Sequence, residues 1–297
     1  MRRFEYLKAT TLEQAVSTLA ARNGAAKLLA GGTDLLPALK EELLVPEYLV
    51  DIKALPGLDA IRYDDEGLRL GALVTIRAIE TSSLIRNSRT FDVLGQAAGT
   101  LGSVQVRNRA TIGGNLCNAS PSADMAPALL ALGATLHLRG PAGTRSVSIE
   151  EFFTGPGETV LGPDELLTEV RVPKPLGSKL GGVYLKHTPR AAMDLAVVGV
   201  AAVVSVAPGD ATCVEIRIGL GGVAPTPVRA RQAEAALRGK RLDDALIETA
   251  SRMAADDCSP ISDVRASAEY RRAMVAVLTE RAIRQAWAAA DSSAPSP

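Results

Sequence analysis

Two pairs of adjacent glycines, each beside a hydroxyl residue, carry the strongest chemical signal in this 297-residue sequence. The first lies in Leu28-Leu29-Ala30-Gly31-Gly32-Thr33-Asp34-Leu35, where an apolar strand runs into two glycines, a hydroxyl, an acid and a helix. Such a pair lets the backbone bend with positive φ and approach a ligand closely. Its N–H groups, with those of the following helix start, can cradle a diphosphate. A tight turn with a helix cap would use the same residues. The spacing is neither the G-x-G-x-x-G of a dinucleotide fold nor the Gly-Lys-Ser/Thr of a P-loop. The second pair lies in Thr111-Ile112-Gly113-Gly114-Asn115, with Asn118, Ser120 and Asp124 downstream as hydrogen-bonding groups. A stretch so dense in Gly, Asn, Ser and Pro reads as a binding loop, or as an ordered connection. Two such loops in one domain favour a long ligand with a diphosphate in its middle.

The elements around these loops follow from spacing. Residues 4–7 read as a strand, and Thr11 with Gln14 forms a capping box that opens a helix closed by Asn23-Gly24. A strand at 27–30, a helix at 35–44 and a strand at 48–52 complete a small α/β unit. A hairpin is expected across 60–71, short helices after Thr75 and over 91–100, and an apolar helix over 125–132. Strands follow at 135–138, 146–149 and 166–172. Two prolines and three glycines in 173–182 suggest a domain boundary. Beyond it, apolar runs at 195–206 and 214–220 form a hairpin around Pro208-Gly209-Asp210, and helices span 229–237, 243–256 and 267–289.

Composition narrows the function. Lys plus Arg and Asp plus Glu are equal at 33 each, so no net field favours nucleic acid or an acidic membrane. No apolar run is long enough for a membrane span. The N-terminus lacks an apolar signal core, so a cytoplasmic location is expected. Cys117, Cys213 and Cys258 are far apart, and the only histidines are His137 and His187. A metal or iron–sulfur centre needs about four ligands at workable spacing, so none is expected on this chain, and each thiol reads as buried.

The segments at 30–35 (AGGTDL), 107–115 (R-N-x-A-T-I-G-G-N) and 119–124 (A-S-P-x-x-D) resemble the flavoprotein subunit of the xanthine dehydrogenase and carbon monoxide dehydrogenase family. The likeness runs on through 184–202, similar to the start of that family's C-terminal domain, and 266–272, similar to its last helix. It implies an α+β fold. A two-subdomain FAD-binding domain of the vanillyl-alcohol-oxidase (PCMH) type would span 1–176, with subdomains at about 1–56 and 57–176. A small α+β domain, an antiparallel sheet with three helices, would span 180–288, and 289–297 would be a disordered tail.

The resemblance also implies roles. Leu28, Leu29, Ala30, Gly31, Gly32, Thr33, Asp34 and Leu35 would wrap the FAD diphosphate and reach toward the isoalloxazine. Thr111, Ile112, Gly113, Gly114 and Asn115 would form the other side of that cradle, with Asn118 and Ser120 beside them. Asp124 would bond a sugar or ribityl hydroxyl, Leu101 would pack on the cofactor, and Leu167 would lie at the adenine end. Lys186 would sit near the flavin, where a cation stabilises the reduced anionic ring, with Asp194 close by. Asp34 departs from relatives that carry Glu, Ser or His there. With two histidines available and Cys117 read as packed, FAD is expected to be held noncovalently.

With no cluster ligands and no credible acid–base pair, the chain is expected to relay electrons. A small partner with 2Fe–2S clusters would feed the flavin, which would pass electrons to NAD, a quinone or O2. A large partner would hold the molybdenum cofactor and the substrate, in a heterotrimer or its dimer. The alternative is a stand-alone FAD-dependent oxidase or reductase that binds an organic substrate directly. The insertion that carries an extra iron–sulfur cluster in one thioester-reducing branch is absent between Asn118 and Leu138, which argues against that branch.

Overall fold

The computed structural model describes residues 1–175, 177, 179–190, 192–209 and 212–291. The chain opens with β1 (Glu5–Lys8), α1 (Leu12–Arg22), β2 (Ala26–Leu29), α2 (Leu35–Lys40) and β3 (Tyr48–Asp51). The strands form a parallel sheet in the order β1-β3-β2. Thr11 caps α1 by accepting from the Gln14 amide at 3.1 Å. The reciprocal bond closes one residue early, from the Thr10 amide to Gln14 Oε1 at 2.8 Å. Asn23 ends the helix in the left-handed region. Ala15, Val16 and Leu19 bury one face of α1 against Val50, Ile52 and Leu55. The expected helix over 35–44 stops at Lys40. Glu42 turns left-handed, and the Leu43 and Leu44 amides both fold back to the Ala38 carbonyl.

The second unit holds β4 (Ile61–Asp64), β5 (Gly67–Gly71), α3 (Ile76–Thr81), α4 (Ser83–Arg86), α5 (Asp92–Thr100), α6 (Val104–Arg107), α7 (Ile112–Cys117), α8 (Met125–Leu132), β6 (Thr135–Gly140), β7 (Gly143–Ser148), α9 (Ile149–Phe152), β8 (Phe153–Gly155), β9 (Glu158–Thr159) and β10 (Leu166–Pro173). Its main sheet is antiparallel, in the order β4-β5-β10-β6-β7. Every residue of α8 is buried, as an all-apolar helix requires. Gly133 ends it with φ of +69°.

The rest comprises β11 (Lys179–His187), β12 (Val198–Val206), β13 (Cys213–Gly221), β14 (Val228–Arg229), α10 (Arg231–Leu237), α11 (Asp244–Ala254) and α12 (Ala268–Asp291). Its sheet is antiparallel in strand order. Helix α12 covers one face against β11 and β12, and α8 lies on the other against β12 and β13. Covered on both sides, β12 is an unbroken run of Val, Ala, Gly and Ser rather than an alternating one. The turn expected at Pro208-Gly209-Asp210 lies partly outside the described residues; of the tail expected at 289–297, residues 289–291 instead end α12, whose Ala286 and Ala290 are buried against the core, and 292–297 lie outside the described residues.

The last two glycines of 173–182 already belong to β11. Gly181 and Gly182 lie in the strand where a side chain could not fit. A Cβ on Gly181 would lie 1.9 Å from the Ala286 carbonyl oxygen of α12, and one on Gly182 would lie 2.8 Å from that of Thr90. Across the sheet, a Cβ on Gly219 would lie 2.1 Å from the Pro127 carbonyl oxygen of α8.

The start of α12 is tied down by Arg271, a buried cation that donates to the Val197 and Gly222 carbonyls and to Asp263. The Arg265 amide, with Arg271 and the Ala266 amide, holds the Asp263 carboxyl at about 2, below its ordinary 3.8. A carboxylate depressed on folding contributes stability above its unfolded pKa and loses it as the pH falls toward the folded one. Thermal melts between about pH 4 and about pH 2 should therefore show a shallower loss of stability for Asp263→Asn than for the wild type. Equal slopes would remove Asp263 from the account.

Candidate cofactor-binding site

A cleft of about 1120 Å³ runs between the N-terminal α/β unit and the second unit. It exceeds the roughly 300–1,000 Å³ of common small-molecule sites. Leu28, Ala30, Gly31, Gly32, Thr33, Asp34 and Leu35 line one wall, and Leu101, Thr111, Gly114, Asn115, Asn118, Ser120 and Asp124 the other. Asp194 reaches it from the loop after β11, between Met193 and Leu195. The two glycine segments thus face one space.

Their chemistry differs. In the first segment, the amides of Gly31, Gly32, Thr33, Asp34 and Leu35 have no acceptor among the described residues. Gly32 has φ of +77°, the bend expected of the pair. Five consecutive donors beside a helix start form an anion cradle. Gly31 serves packing instead: a Cβ there would lie 2.1 Å from the Arg109 carbonyl oxygen, just ahead of the second motif. Burial in the cleft wall raises the Asp34 pKa, against a bond from the Thr33 hydroxyl.

The second segment is not a loop. Thr111 caps α7, so both glycines are helical. The amides of Ile112 and Gly113 bond Val74 and Ala72, and those of Gly114 and Asn115 bond the Thr111 hydroxyl and carbonyl. This side therefore offers side chains, not free amides. Asn115 Oδ1 is buried without a partner, an acceptor in want of a donor. Gly113 is absent from the cleft and packs on Ala72, where a Cβ would lie 2.6 Å from the carbonyl oxygen.

Ile112 and Leu167 are core residues, and Leu29 packs with Leu39 and Leu49. None of the three lines the cleft. Leu101 is set by Arg107, which is buried, grips Glu80 with two nitrogens and donates to the Leu101 carbonyl at 3.0 Å. The sequence reading missed the segment from Thr154 to Glu165, which lines the cleft through Thr154, Gly157, Thr159 and Leu161. Its density of Gly and Pro was the available signal.

Asp124 accepts from the Tyr184 hydroxyl at 2.8 Å and from Lys186 Nζ at 2.9 Å. Lys186 also donates to the Thr100 carbonyl at 3.1 Å. A surface pair at Lys186-His187 is the ordinary expectation from sequence, yet the Lys186 side chain is 6% exposed. Burial raises the Asp124 pKa, opposed by the Lys186 charge, by both donors and by the Thr100 hydroxyl. Asp194 is ion-paired with Arg190 at 3.2 Å, which holds its carboxyl below the ordinary range.

Cys213 and Cys258 are buried as expected, whereas Cys117 is half-buried on the cleft wall; desolvation pushes all three thiols up to about 12. The thiolate is the reactive form. A thiolate-selective reagent at neutral pH should label none in the folded chain and all three after denaturation; fast labelling of Cys117 would contradict this. Among the described residues no group of three or more His, Cys, Asp or Glu could hold a metal ion, and no helix is long and apolar enough to cross a membrane.

Comparisons with known proteins place the whole chain in one family. The family profile "FAD binding domain in molybdopterin dehydrogenase" matches residues 2–175, and "CO dehydrogenase flavoprotein C-terminal domain" matches 183–286. The chain is 36% identical to the glyceraldehyde dehydrogenase medium chain of Sulfolobus acidocaldarius, over 95% of this chain and 98% of that one. It is 36% identical to the xanthine dehydrogenase FAD-binding subunit of Escherichia coli, over 96% of each. A solved carbon monoxide dehydrogenase chain from Hydrogenophaga pseudoflava superimposes with a TM-score of 0.92 at 36% identity, over 97% of this chain and 99% of that one.

Proposed function

The chain belongs to the FAD-binding medium subunits of the xanthine dehydrogenase and carbon monoxide dehydrogenase family of oxidoreductases, and from the cleft we propose that it is the electron relay of a molybdenum hydroxylase complex. One observation carries the site assignment: residues 31–35, whose amides have no acceptor among the described residues, line the cleft together with Asn115, whose Oδ1 is buried without a partner.

These residues fit a flavin dinucleotide. The amides of 31–35 bind the diphosphate, and the Thr111 and Ser120 hydroxyls with the side-chain NH2 groups of Asn115 and Asn118 donate to it from the other wall, which leaves Asn115 Oδ1 for a hydroxyl or N–H of the ligand. Asp124 keeps lone pairs free for a sugar or ribityl hydroxyl. Leu101 packs on the cofactor, while Leu29, Ile112, Gly113 and Leu167 support the walls from behind. Lys186 does not itself line the cleft and acts through its ion pair with Asp124, while Asp194, paired with Arg190, lines the cleft directly. FAD, when bound, supplies a carrier that accepts electrons singly and releases them in pairs. Binding is noncovalent: among the described residues that line the cleft there is one thiol, the protonated Cys117, and neither histidine. Two domains, 1–176 and 180–288, build the chain. A small partner with 2Fe–2S clusters delivers electrons, a large partner holds the molybdenum cofactor, and NAD, a quinone or O2 accepts them.

Absorbance of the purified chain tests the site. About one FAD per chain, released by denaturation, is the expected result. A folded chain with no bound or rebindable flavin would contradict it.

A further inference from the structure

Asp124 precedes a helix, yet its side chain makes no cap bond to α8. A helix-start carboxylate ordinarily turns back to the amides of its own first turn. Here both oxygens point to β11, one to Tyr184 and one to Lys186, which share a strand face two residues apart. Lys186 holds the Thr100 carbonyl as well, next to Leu101. Two cleft residues, Asp124 and Leu101, are thereby positioned from the C-terminal sheet.

Tyr184 does not line the cleft and is 5% exposed. Its place is specified from two sides. Its amide donates to Gln96 Oε1 at 2.9 Å. Gly199, in a β12 otherwise made of Val, Ala and Ser, leaves room for its hydroxyl, since a Cβ there would lie 2.7 Å from that oxygen. The hydroxyl has one proton to donate, and Asp124 receives it.

We propose that Tyr184 is a positioning residue of the cofactor site, acting through Asp124, so that the C-terminal sheet sets the geometry of a cleft built by the N-terminal part of the chain. This rests on the FAD reading above. Without the hydroxyl, Asp124 rotates toward its own helix and the ligand loses an oriented acceptor.

The test is titration of FAD into the full chain freed of flavin, followed by flavin fluorescence, with a thermal melt of each variant. Tyr184→Phe should raise the Kd about tenfold, which is about 1.4 kcal/mol. Gly199→Ala, which displaces the hydroxyl while keeping every polar group of the cluster, should do the same and covers the case in which Tyr184→Phe does not fold. In an Asp124→Asn background, Tyr184→Phe should add less than about twofold, because coupled residues are not additive. A merely structural role would lower the melting temperature and leave Kd unchanged. A cooperatively melting Tyr184→Phe with wild-type Kd, or an undiminished effect on Asp124→Asn, overturns the proposal. A wild-type chain that binds no FAD overturns the cofactor reading beneath it.

Discussion

Gly31→Ala is expected to abolish flavin retention and to destabilise the chain by about 1–3 kcal/mol, the usual cost of overpacking a close contact. The added methyl would lie 2.1 Å from the Arg109 carbonyl oxygen and 3.0 Å from the Ala110 Cα. All three nearest atoms are backbone, so no side chain can swing away. The two motifs must separate, and the wall of free amides then moves off the wall that carries Thr111 and Asn115. Gly32→Ala fails for another reason, a φ of +77°. Flavin content after gel filtration and a thermal melt would measure both effects. Full FAD occupancy in Gly31→Ala would show that the walls need not meet there.

Lys186→Met carries the second large effect. It leaves Asp124 buried without a counter-ion, a change that costs about 3–5 kcal/mol in such pairs. The melting temperature should fall by on the order of 10 °C. The deficit should narrow as the pH is lowered. Burial already raises the Asp124 pKa, and an acid raised on folding favours the folded state as it takes up its proton. Asp124→Leu with Lys186→Met should recover most of the loss, since a paired removal strands no charge. A single variant as stable as the wild type at neutral pH would show that the ion pair bears no strain.

Much of this was legible in the residues. Helix α8 was readable because Met125 to Leu132 is apolar throughout and Gly133 follows it. The first glycine segment was readable because strand, paired glycines and helix start stand in one line. The second was misread as a loop. Glycine is a poor helix former, and nothing local shows that Thr111 caps α7 or that Gly113 is small because Ala72 lies against it. Lys186 was obscure for a related reason. Its partner Asp124 is 62 positions away, and only the docking of β11 against the second unit removes it from water. The close packing of Gly181 and Gly182 was equally hidden, because a boundary and a tight contact select the same residue. In each case local propensity was overridden by a contact distant in the sequence.

The central claim is that the cleft carries a flavin that relays electrons received from a partner. Its most direct test is anaerobic stopped-flow absorbance of the FAD-loaded chain mixed with a reduced 2Fe–2S partner subunit, and separately with free aldehydes or alcohols. The account predicts rapid bleaching of the flavin band by the partner and none by the organic compounds. Bleaching by the organic compounds alone would contradict it and make the chain an oxidase in its own right.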